Sequence, residues 1–595
     1  MDLISTGDIL GASTLLKRFG GEPAARAILK LLQFGKINDF YSAHHQLSGD
    51  EFLDRLIEAT GVKVTISPGE LEKIPKTGSF ITVSNHAYGG IDGILLAQIM
   101  SARNPGYKLL VNFLLTKIRP LQPWFLGVNP FESHREASSS FGGLKEAFSH
   151  LQNGYPLGIF PAGEVSSYKF DQNAVTDREW QFTMLKFIKR AKVPVVPVYF
   201  TGHNTLLFNL LGMIHPMLRT VRLPAELFNK QGREITIRIG SPVTVREQDE
   251  FMEIREYGKF LRMKTYSLAL PPGGASRNRK SVQCRTAPII SPIAPSLIAQ
   301  EIAAIMDDHL LFALQENFVF CVPSAKIPNI LDEICRLREV TYREVGEGTG
   351  NPLDRDRYDE YFDQLFIWDN EAKRITGGYR IGKGDRILGK YGIEGHYINS
   401  LFKIGKPFEK VLRVSMELGR SFIVKDYQKK PLSLFLLWKG ILYHLLKSPG
   451  YRYLIGPVSI SNEFGELSKS LVVEYLKANC YNSEYGACIK AHKPFRSRLP
   501  GMADPDMFLR FVSRDIGRLD KFINDIDPGF KLPVLLKKYL SVNAEVLGFN
   551  VDPLFNNCLD ALIILDLFEV PVDMIESLSK EINDQSLLER FRKGS

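Results

Sequence analysis

The alternation of short apolar strands with helical stretches is the feature that most constrains how this chain can fold. In the first half, the segments "SFITVSN" (79–85), "YKLLVN" (107–112) and "VPVVPVYFTG" (193–202) have the length and composition of buried strands. Helical patterns such as "DGILLAQIMSA" (92–102) lie between them. Strands that alternate with helices predict an α/β domain in which helices cover the sheet.

A break in this pattern separates two halves of the chain. Residues 270–295, "LPPGGASRNRKSVQCRTAPIISPIAP", are rich in proline, glycine and basic residues and predict a linker. A second alternation follows, with strands at "RITGGYRI" (374–381), "SMELGRSFIV" (415–424) and "YRYLIGPVSI" (451–460). We therefore expect the α/β fold class with two α/β domains, divided into a helical segment (1–60), a first domain (61–269), a linker (270–299) and a second domain (300–595).

The composition limits the classes of protein that fit. With 44% hydrophobic and 24% charged residues, the chain has the balance of a folded globular protein. Its six cysteines show no Cys-x-x-Cys spacing, which argues against a zinc site and against a disulfide framework. We therefore expect no metal and a reducing compartment. The start "MDLISTGDIL" lacks a basic stretch followed by an apolar core, so it predicts no signal peptide.

Two short apolar segments and a basic net charge bear on membrane association. No run reaches the roughly 18 apolar residues of a spanning helix. Residues 204–217 and 432–446 are apolar but shorter, and each fits either buried core or a surface in a bilayer interface. The net charge of +9 favours acidic partners, which include anionic lipid headgroups, nucleic acid and an acidic carrier protein. Charge alone does not choose among these.

A histidine and an aspartate stand close together in "SNHAYGGIDG" (84–93). The preceding strand brings His86 to the edge of a sheet, where α/β proteins usually place their chemistry. Gly89 and Gly90 allow the turn that would bring Asp92 back to the imidazole. The aspartate would then fix the tautomer of His86 and leave its other nitrogen as a general base. A helix-capping aspartate beside a structural histidine explains the same spacing.

Three later segments of the sequence favour the catalytic interpretation of His86 and Asp92 over the structural one. "LGVNPFESHRE" (126–136), "FPAGEVSS" (160–167) and "VPVVPVYFTGHN" (193–204) follow the histidine in order. Together the four blocks resemble the glycerolipid acyltransferases, over roughly residues 60–250. The resemblance implies a membrane-associated α/β domain in which His86 and Asp92 deprotonate an acceptor hydroxyl that attacks an acyl thioester. It makes Arg135 and Glu164 candidates for holding the acceptor, although both also fit solvent-exposed loop charges.

The chain departs from that family in two blocks. Five residues separate His86 from Asp92, where the family usually has four. The third block has Ala162 where the family has glutamate, and the arginine that usually follows is absent from it. An arginine fork is a favoured bidentate ligand for phosphate. Its loss favours an acceptor whose head group is not a phosphate.

The second half carries a different set of blocks. "RLREVTYREVGEGTG" (336–350), "YDEYFDQLFIWD" (358–369), "ITGGYRIG" (375–382) and "MELGRSFI" (416–423) resemble the acyl-homoserine lactone synthases and the N-acyltransferases of ornithine and glycine lipids, a branch of the GNAT fold. The resemblance implies that Glu417, or a water it positions, takes the proton from an amine. It implies that Asp359, Arg380 and Arg420 organise the acyl-carrier and amino-acid sites. A structural ion-pair network is the alternative, and a regular strand would point Glu417 and Arg420 to opposite faces unless a bulge intervenes.

Two acyltransferase-like halves resemble the bifunctional synthases of amino-acid-containing membrane lipids. The second half would N-acylate ornithine or glycine with a 3-hydroxyacyl chain, and the first half would then acylate its hydroxyl. The Arg/Gln-x-x-Gly-x-Gly/Ala loop that holds coenzyme A in most GNAT enzymes does not occur here, which favours acyl carrier protein over coenzyme A as the acyl donor. We expect no cofactor, no nucleic acid and a peripheral location on the cytoplasmic face of the inner membrane. The alternatives are a lysophospholipid (1-acylglycerol-3-phosphate type) acyltransferase with a regulatory second half and a membrane-associated binding or lytic protein without turnover.

Overall fold

The computed structural model describes residues 34–128, 137–169, 174–205, 226–269, 287–499 and 505–594, with the single positions 22, 208 and 223. The chain forms two compact units. The N-terminal unit comprises Met1–Pro271, Pro500–Phe511 and Asn524–Pro528, and the C-terminal unit comprises Pro272–Leu499, Val512–Ile523 and Gly529–Ser595. The sequence-based division differs in that it assigned 500–511 and 524–528 to the second domain.

The described part of the N-terminal unit has two helices followed by alternating strands and helices. Its elements are α1 Phe34–His44, α2 Gly49–Thr60, β1 Lys63–Thr65, α3 Pro68–Leu71, β2 Ile81–Ser84, α4 Gly90–Ser101, β3 Lys108–Asn112, β4 Phe125–Val128, α5 Ala137–Gln152, β5 Leu157–Ile159, β6 Ser167–Lys169, β7 Ala174–Thr176, α6 Phe182–Ala191, β8 Val195–Phe200, β9 Glu234–Ile239, α7 Val245–Asp249 and α8 Ile254–Tyr266. Short 3₁₀ helices span Phe113–Lys117, Arg119–Trp124 and Ser267–Ala269.

Seven strands form the main sheet of this unit, in the order β1-β9-β8-β2-β5-β3-β4. The strands β8, β2, β5, β3 and β4 run parallel to their neighbours in this order, and β9 is antiparallel to β8. All four residues of β2 are buried, because helices cover both faces of a parallel sheet. The carboxyl ends of β2 and β8 therefore meet at one edge, where α/β proteins place their sites.

A buried cluster of charges stabilises the N-terminal unit at Asp525, which belongs to the segment Asn524–Pro528. Its carboxylate pairs with Lys264 at 3.0 Å and Lys73 at 3.1 Å and accepts a hydrogen bond from the Ser241 hydroxyl at 2.6 Å. Burial alone would raise the pKa of Asp525, but the two ammonium groups and the Ser241 donors outweigh burial and lower it to about 2. The ionised carboxylate therefore favours the folded state.

The remaining elements lie in residues 287–499 and 505–594. They are α9 Pro295–His309, β10 Leu310–Leu314, β11 Asn317–Pro323, α10 Pro328–Glu344, β12 Asp363–Asp369, β13 Arg374–Lys383, α11 Gly384–Tyr391, β14 Phe402–Ile404, α12 Glu409–Arg413, β15 Ser415–Ile423, α13 Lys425–Gln428, α14 Pro431–Leu446, β16 Tyr453–Ile460, α15 Glu466–Asn479, α16 Ser483–Gly486, β17 Ile489–Ala491, α17 Pro505–Val512, α18 Ile516–Ile526, α19 Val534–Leu540, β18 Glu545–Asp552, β19 Cys558–Asp566, α20 Val572–Ile582 and α21 Ser586–Gly594. Helix α9 begins inside the segment predicted as a linker, 270–299.

Eight strands form the sheet of this unit, in the order β10-β11-β12-β13-β15-β16-β19-β18. Every neighbouring pair is antiparallel except β15 and β16, which are parallel. Their ladder ends at Glu417 and Ile455, although β15 continues to Ile423 and β16 to Ile460. We call this unpaired part, 418–423 beside 456–460, the wedge. Each strand stays paired on its outer side, to β13 or to β19, so the wedge is an interruption within an otherwise continuous sheet.

Helices cover both faces of this second sheet. On one face, α10 packs Ile330 and Ile334 against Phe366 and Phe422, and residues 398–412 pack against Ile455 and Leu562. On the other face, Gly440 of α14 approaches Val319 so closely that a Cβ would lie 2.8 Å from it. The apolar stretch 432–446 is thus core of the C-terminal unit. Most of the second apolar stretch, 204–217, lies outside the described residues.

None of the helices in the described part of the chain is long and apolar enough to cross a membrane.

Candidate active sites

His86 and Asp92 meet across one turn at the carboxyl end of β2. The strand ends at Ser84, just before His86, and Asp92 lies in the first turn of α4. His86 Nδ1 is 3.1 Å from Asp92 Oδ2, within hydrogen-bonding distance. The Asp92 side chain is fully buried, whereas that of His86 is 19% exposed. An Nδ1–H that donates to Asp92 fixes the tautomer and leaves Nε2 able to accept a proton from a bound hydroxyl.

A tight turn accommodates the five residues between the two side chains. Asp92 Oδ2 also accepts hydrogen bonds from the backbone N–H groups of Tyr88, at 2.8 Å, and Gly89, at 3.0 Å. Gly89 has a φ of 93°, and a Cβ at this position would lie 2.8 Å from Leu223. A side chain at this position would be strained by the backbone conformation as well as by the contact. The turn therefore holds the carboxylate against the ring in spite of the longer spacing.

Asp177 connects His86 to the third sequence block, a role that the sequence did not reveal. It is fully buried, and its Oδ1 accepts hydrogen bonds from the His86 backbone N–H at 3.1 Å and from the Ser166 hydroxyl at 2.6 Å. The backbone N–H of Ser166 in turn donates to the His86 carbonyl at 2.8 Å. Phe160 stacks on the imidazole with a centroid distance of 4.2 Å. Asp177 and Ser166 thus hold the His86 backbone, and Phe160 packs against its ring.

Two amide side chains, Asn85 of the first block and Asn204 of the fourth, join these two blocks. Asn85 donates to the Phe200 carbonyl at 3.0 Å and accepts from the Phe200 N–H at 2.8 Å, which joins the ends of β2 and β8. Asn204 donates to the Tyr88 carbonyl at 3.1 Å and accepts from the buried ammonium of Lys230. Burial lowers the pKa of Lys230, against the effect of the neighbouring Glu226.

Of the two residues predicted to hold the acceptor, Arg135 and Glu164, the structure describes Glu164. Arg135 lies outside the described residues, so its role stays a prediction. Glu164 lies in the loop after β5, is 32% exposed, and forms an ion pair with Arg178 Nε at 3.0 Å. Arg178 thus places a guanidinium beside the block whose own arginine is missing.

A β-bulge in β15 brings the predicted residues of the second site to one side of the sheet. Arg380 of β13 lies opposite Gly419, and Gly378 lies opposite Phe422, so β15 has one extra residue between them. Arg420 occupies the bulge with a φ of 51°. Its guanidinium reaches the Tyr397 hydroxyl at 3.4 Å, next to the backbone that contacts Glu417. The bulge that Glu417 and Arg420 need in order to serve one site is therefore present in β15.

Three arginines and three aspartates form one ion-pair network on this side of the sheet: Arg338, Arg380, Arg420, Asp354, Asp356 and Asp359. Arg338 binds Asp359 in bidentate fashion, at 2.8 and 3.1 Å, and Asp354 at 2.9 Å. Burial works against both charges, but the guanidinium groups lower the pKa of Asp359 and its partners raise the pKa of Arg338. The predicted Asp359, Arg380 and Arg420 thus lie together, and Arg338, Asp354 and Asp356 complete the set.

Arg380 has spare hydrogen-bonding capacity in this network. Its Nη1 lies 2.6 Å from Asp356 and 3.2 Å from Asp359, whereas its Nε and Nη2 have no hydrogen-bond partner among the described residues. The guanidinium is fully buried between the rings of Tyr358, Phe362 and Tyr397, with centroid distances of 5.3 to 5.5 Å. A buried donor without an acceptor is costly, so this geometry suits a ligand that brings an anionic oxygen.

Glu417 holds a second histidine, His396, that sequence reasoning missed. Glu417 Oε2 is 2.7 Å from His396 Nδ1, and Oε1 accepts the backbone N–H of Ile398 at 2.7 Å. Both side chains are buried, and His396 Nε2 has no partner among the described residues. Because both oxygens of the Glu417 carboxylate already have partners, Glu417 would exchange a proton with a substrate by way of His396. The single histidine in "IEGHYIN" carries no spacing signal that links it to β15.

Cys321, Asp363 and His444 are the one group in the described part of the chain with a spacing that would suit a metal ion. One ligand atom from each lies within 4.8 Å of the others. The Asp363 carboxylate pairs with the Lys383 ammonium at 2.8 Å, and a cation at that place opposes a divalent metal. Burial lowers the pKa of His444 to about 4, which keeps its ring neutral.

Comparisons with known proteins assign each half to a type of domain. Residues 12–271 match the family described as Acyltransferase, and residues 337–439 match the family described as Acetyltransferase (GNAT) domain. The chain therefore contains an N-terminal acyltransferase domain and a C-terminal GNAT domain, and it is an acyltransferase. The expected fold class and the expected enzyme class are both confirmed.

The similar proteins include two kinds of acyltransferase. A glycine N(alpha)-acyltransferase of Phocaeicola vulgatus is 28% identical, over 44% of this chain and 82% of the relative. A lyso-glycine lipid O-acyltransferase of Bacteroides thetaiotaomicron is 28% identical, over 40% of this chain and 87% of the relative. Among solved structures, the 1-acyl-sn-glycerophosphate acyltransferase of Thermotoga maritima matches with 18% identity and a TM-score of 0.24, over 43% of this chain and 86% of that one.

Proposed function

We propose that this chain, an acyltransferase domain joined to a GNAT domain, makes a two-chain amino-acid lipid in two steps. The GNAT domain transfers a 3-hydroxyacyl chain from a thioester to the amine of glycine, with ornithine as the alternative acceptor. The N-terminal domain then acylates the hydroxyl of that product. The observation that carries the proposal is the presence of both kinds of relative, a glycine N-acyltransferase and a lyso-glycine lipid O-acyltransferase, in matches that each cover less than half of one chain.

The geometry of the N-terminal site supports attack by a hydroxyl. A hydroxyl is a weak acid, so it needs a base within hydrogen-bond reach throughout the attack. His86 combines a carboxylate on Nδ1 with a partly exposed ring, which leaves Nε2 accessible to an acceptor. We assign Asp92 the role of orienting His86, and Glu164 with Arg135 the role of holding the acceptor.

The geometry of the second site supports an amino-acid acceptor. The wedge leaves backbone groups of β15 without a strand partner, and such groups can bind the amides of an extended acyl-carrier arm. Beside it, Arg380 Nη2 provides a buried donor for the carboxylate of the amino acid. We assign Arg420 and Asp359 to holding this arrangement, and Glu417 with His396 to removing the proton that the attacking amine loses.

The donor and the location complete the proposal. We propose that acyl carrier protein, an acidic protein, delivers the chain to this basic enzyme, with acyl-coenzyme A as the competing donor. The enzyme would act at the cytoplasmic surface of the inner membrane, because its acceptor and product carry long apolar chains. Co-flotation with vesicles of anionic lipid, compared with vesicles of neutral lipid, tests the membrane contact.

Expression in a bacterial host that lacks amino-acid lipids tests the function. Cells are fed labelled glycine or labelled ornithine, and extracts are examined by mass spectrometry. We expect a label-bearing lipid with one amide-linked and one ester-linked chain. The variant His86→Ala should accumulate the one-chain hydroxy product. The absence of any labelled lipid from cells that contain folded protein would rule the proposal out.

A further inference from the structure

Asp560 of β19 is a buried carboxylate that the proposed steps do not use. Its side chain is 2% exposed, and its Oδ2 has no hydrogen-bond partner among the described residues. The other oxygen, Oδ1, accepts a hydrogen bond from the Ser459 hydroxyl at 2.7 Å. A buried carboxylate oxygen without a donor is costly, so most such oxygens have a partner. A ligand that brings a positive donor would satisfy it.

The strand register places Asp560 beside the wedge, on the face that carries Glu417. Glu417 pairs with Ile455 across β15 and β16, and Ser459 pairs with Asp560 across β16 and β19. Alternate residues of a strand share a face and directly opposite residues point the same way, so Glu417, Ser459 and Asp560 share one face. Ser459 belongs to the part of β16 that has no partner on β15. Asp560 therefore lies where a substrate in the wedge would end.

Tyr397 connects this carboxylate to Arg380. The Arg380 guanidinium lies 5.5 Å from the centroid of the Tyr397 ring. Burial and the nearby charge of Asp560 raise the pKa of the Tyr397 hydroxyl to about 12, against the effect of the neighbouring Arg420. Tyr397 thus neighbours two buried groups that each have an atom without a hydrogen-bond partner among the described residues, the donor Arg380 Nη2 and the acceptor Asp560 Oδ2. The carboxylate and ammonium of a zwitterionic amino acid complement this pair.

We propose that Asp560 binds the ammonium group of the amino-acid acceptor and takes one proton from it before the amine attacks the thioester. The inference rests on the proposed N-acylation. The Asp560 carboxylate accepts a proton from the ammonium, which leaves a neutral amine. The amine nitrogen forms a bond to the thioester carbon, the carbon–sulfur bond breaks, and the second proton passes by way of His396 and Glu417 to the departing thiolate. Asp560 then loses its proton to solvent.

The surroundings of Asp560 suit a proton acceptor near neutral pH. Burial, together with the carboxylates of Asp552 on β18 and Glu347 after α10, raises the pKa of its carboxyl to about 7. The Ser459 hydroxyl on β16 and the Cys558 thiol on its own strand oppose them. A base whose pKa lies near the working pH transfers protons most effectively.

Steady-state N-acylation by the full chain, with the variant Asp560→Asn, tests the assignment. We expect the KM for glycine to rise about 10- to 100-fold, the range expected for a lost charge-assisted hydrogen bond. The KM for the acyl thioester should stay within about twofold, and O-acylation should not change. The matched control Asp566→Asn lies on the same strand but pairs with the exposed Arg452, and it should leave the KM for glycine unchanged.

The pH profile separates a proton acceptor from a structural carboxyl. In the wild type, kcat/KM for glycine should fall as the pH drops below about 7, because Asp560 must be ionised to accept the proton. Ser459→Ala removes a hydrogen bond to the carboxylate and should move this limb to higher pH, whereas Asp552→Asn removes a like charge and should move it to lower pH. A wild type that acylates no amino acid would overturn the proposed function together with this inference. If the wild type acylates glycine, two results would overturn only the role of Asp560. One is an unchanged KM and an unchanged pH limb in Asp560→Asn, and the other is a pH limb that does not move in Ser459→Ala and Asp552→Asn.

Discussion

The two units each pair a histidine with a carboxylate, but they build the pair in different ways. His86 and Asp92 are six residues apart, share one turn at a sheet edge, and leave the imidazole 19% exposed. His396 and Glu417 come from a loop and a strand, and both are almost completely buried. The residues of the first pair are close in the sequence, whereas the second pair joins two segments that are 21 residues apart.

The difference in exposure matches the two acceptors that we propose. A hydroxyl must lose its proton during attack, so its base has to be reachable by a substrate that arrives from a membrane. An amine attacks as a neutral species once its ammonium proton has been removed, so a buried pair can complete the proton transfer away from solvent. The comparison therefore predicts that each pair supports one reaction and not the other.

The largest effect is expected from His86→Ala. Loss of a general base should lower the rate of O-acylation by about 10²- to 10⁴-fold, since the acceptor hydroxyl would then have no proton acceptor. N-acylation of glycine should continue at the wild-type rate. Separate assays with purified one-chain product and with glycine measure the two reactions. His150→Ala is the matched control, because His150 of α5 lies in the same unit and hydrogen-bonds to the Pro156 carbonyl rather than to a carboxylate. O-acylation that survives His86→Ala would remove the basis of the comparison.

The reciprocal variant, Glu417→Gln, should lower N-acylation by about 10²-fold, at the lower end of the range for general-base catalysis. The amide cannot accept from both His396 and the Ile398 N–H with the strength of a carboxylate. O-acylation of supplied one-chain product should not change. Glu474→Gln removes an exposed glutamate that pairs with Lys477, and it serves as the control. If N-acylation of glycine persisted at the wild-type rate in Glu417→Gln, Glu417 would not be the group that moves the proton.

The sequence predicted the first pair more completely than the second, for a physical reason. The β2 strand, its glycine turn and the first turn of α4 all lie within residues 81–93, so their spacing is visible in the chain. The bulge at Arg420 depends on the register of β13 against β15, and the residues around Arg420 do not predict it. Asp354 and Asp356 stand five and three residues before Asp359, a spacing that could have marked them as part of the network.

Contacts between distant segments were beyond what the sequence could indicate. Asp177 reaches His86 from a hairpin 91 residues later, and a lone aspartate in "VTDREW" looks like an ordinary loop charge. The helices α17 and α18 are amphipathic, but their pattern does not say which unit covers their apolar face. The assignment of 500–511 and 524–528 to the N-terminal unit therefore emerges only from tertiary packing.

The buried carboxylate of Asp525 in the N-terminal unit allows a prediction about stability. Asp525 has a pKa of about 2 in the folded N-terminal unit, below the ordinary value of 3.8. Its stabilising contribution is therefore complete above pH 4 or so and is lost as the pH falls through about 2, and it amounts to about 2 kcal/mol. Asp525→Asn should lower the free energy of unfolding by about this amount at pH 7, and less at pH 3.

Urea denaturation at the two pH values, followed by tryptophan fluorescence, measures the effect. The N-acylation rate at neutral pH and low temperature should not change, because Asp525 belongs to the other unit. Asp573→Asn, on α20, is a control from the C-terminal unit. An equal loss of stability at both pH values would show that the contribution of Asp525 does not depend on its charge.

The smallest expected effect concerns Glu164, and it decides whether the third sequence block touches the acceptor. Its ion pair with Arg178 is partly exposed to solvent, so Glu164→Gln should change stability by less than about 1 kcal/mol. If Glu164 holds the acceptor, the KM for the one-chain substrate should nevertheless rise about three- to tenfold, with kcat unchanged. Arg55→Gln breaks a similarly exposed pair with Glu58 in α2 and should alter neither quantity. An unchanged KM in Glu164→Gln would leave His86 and Asp92 as the proton-transfer pair but would show that the acceptor is held by other residues of the unit.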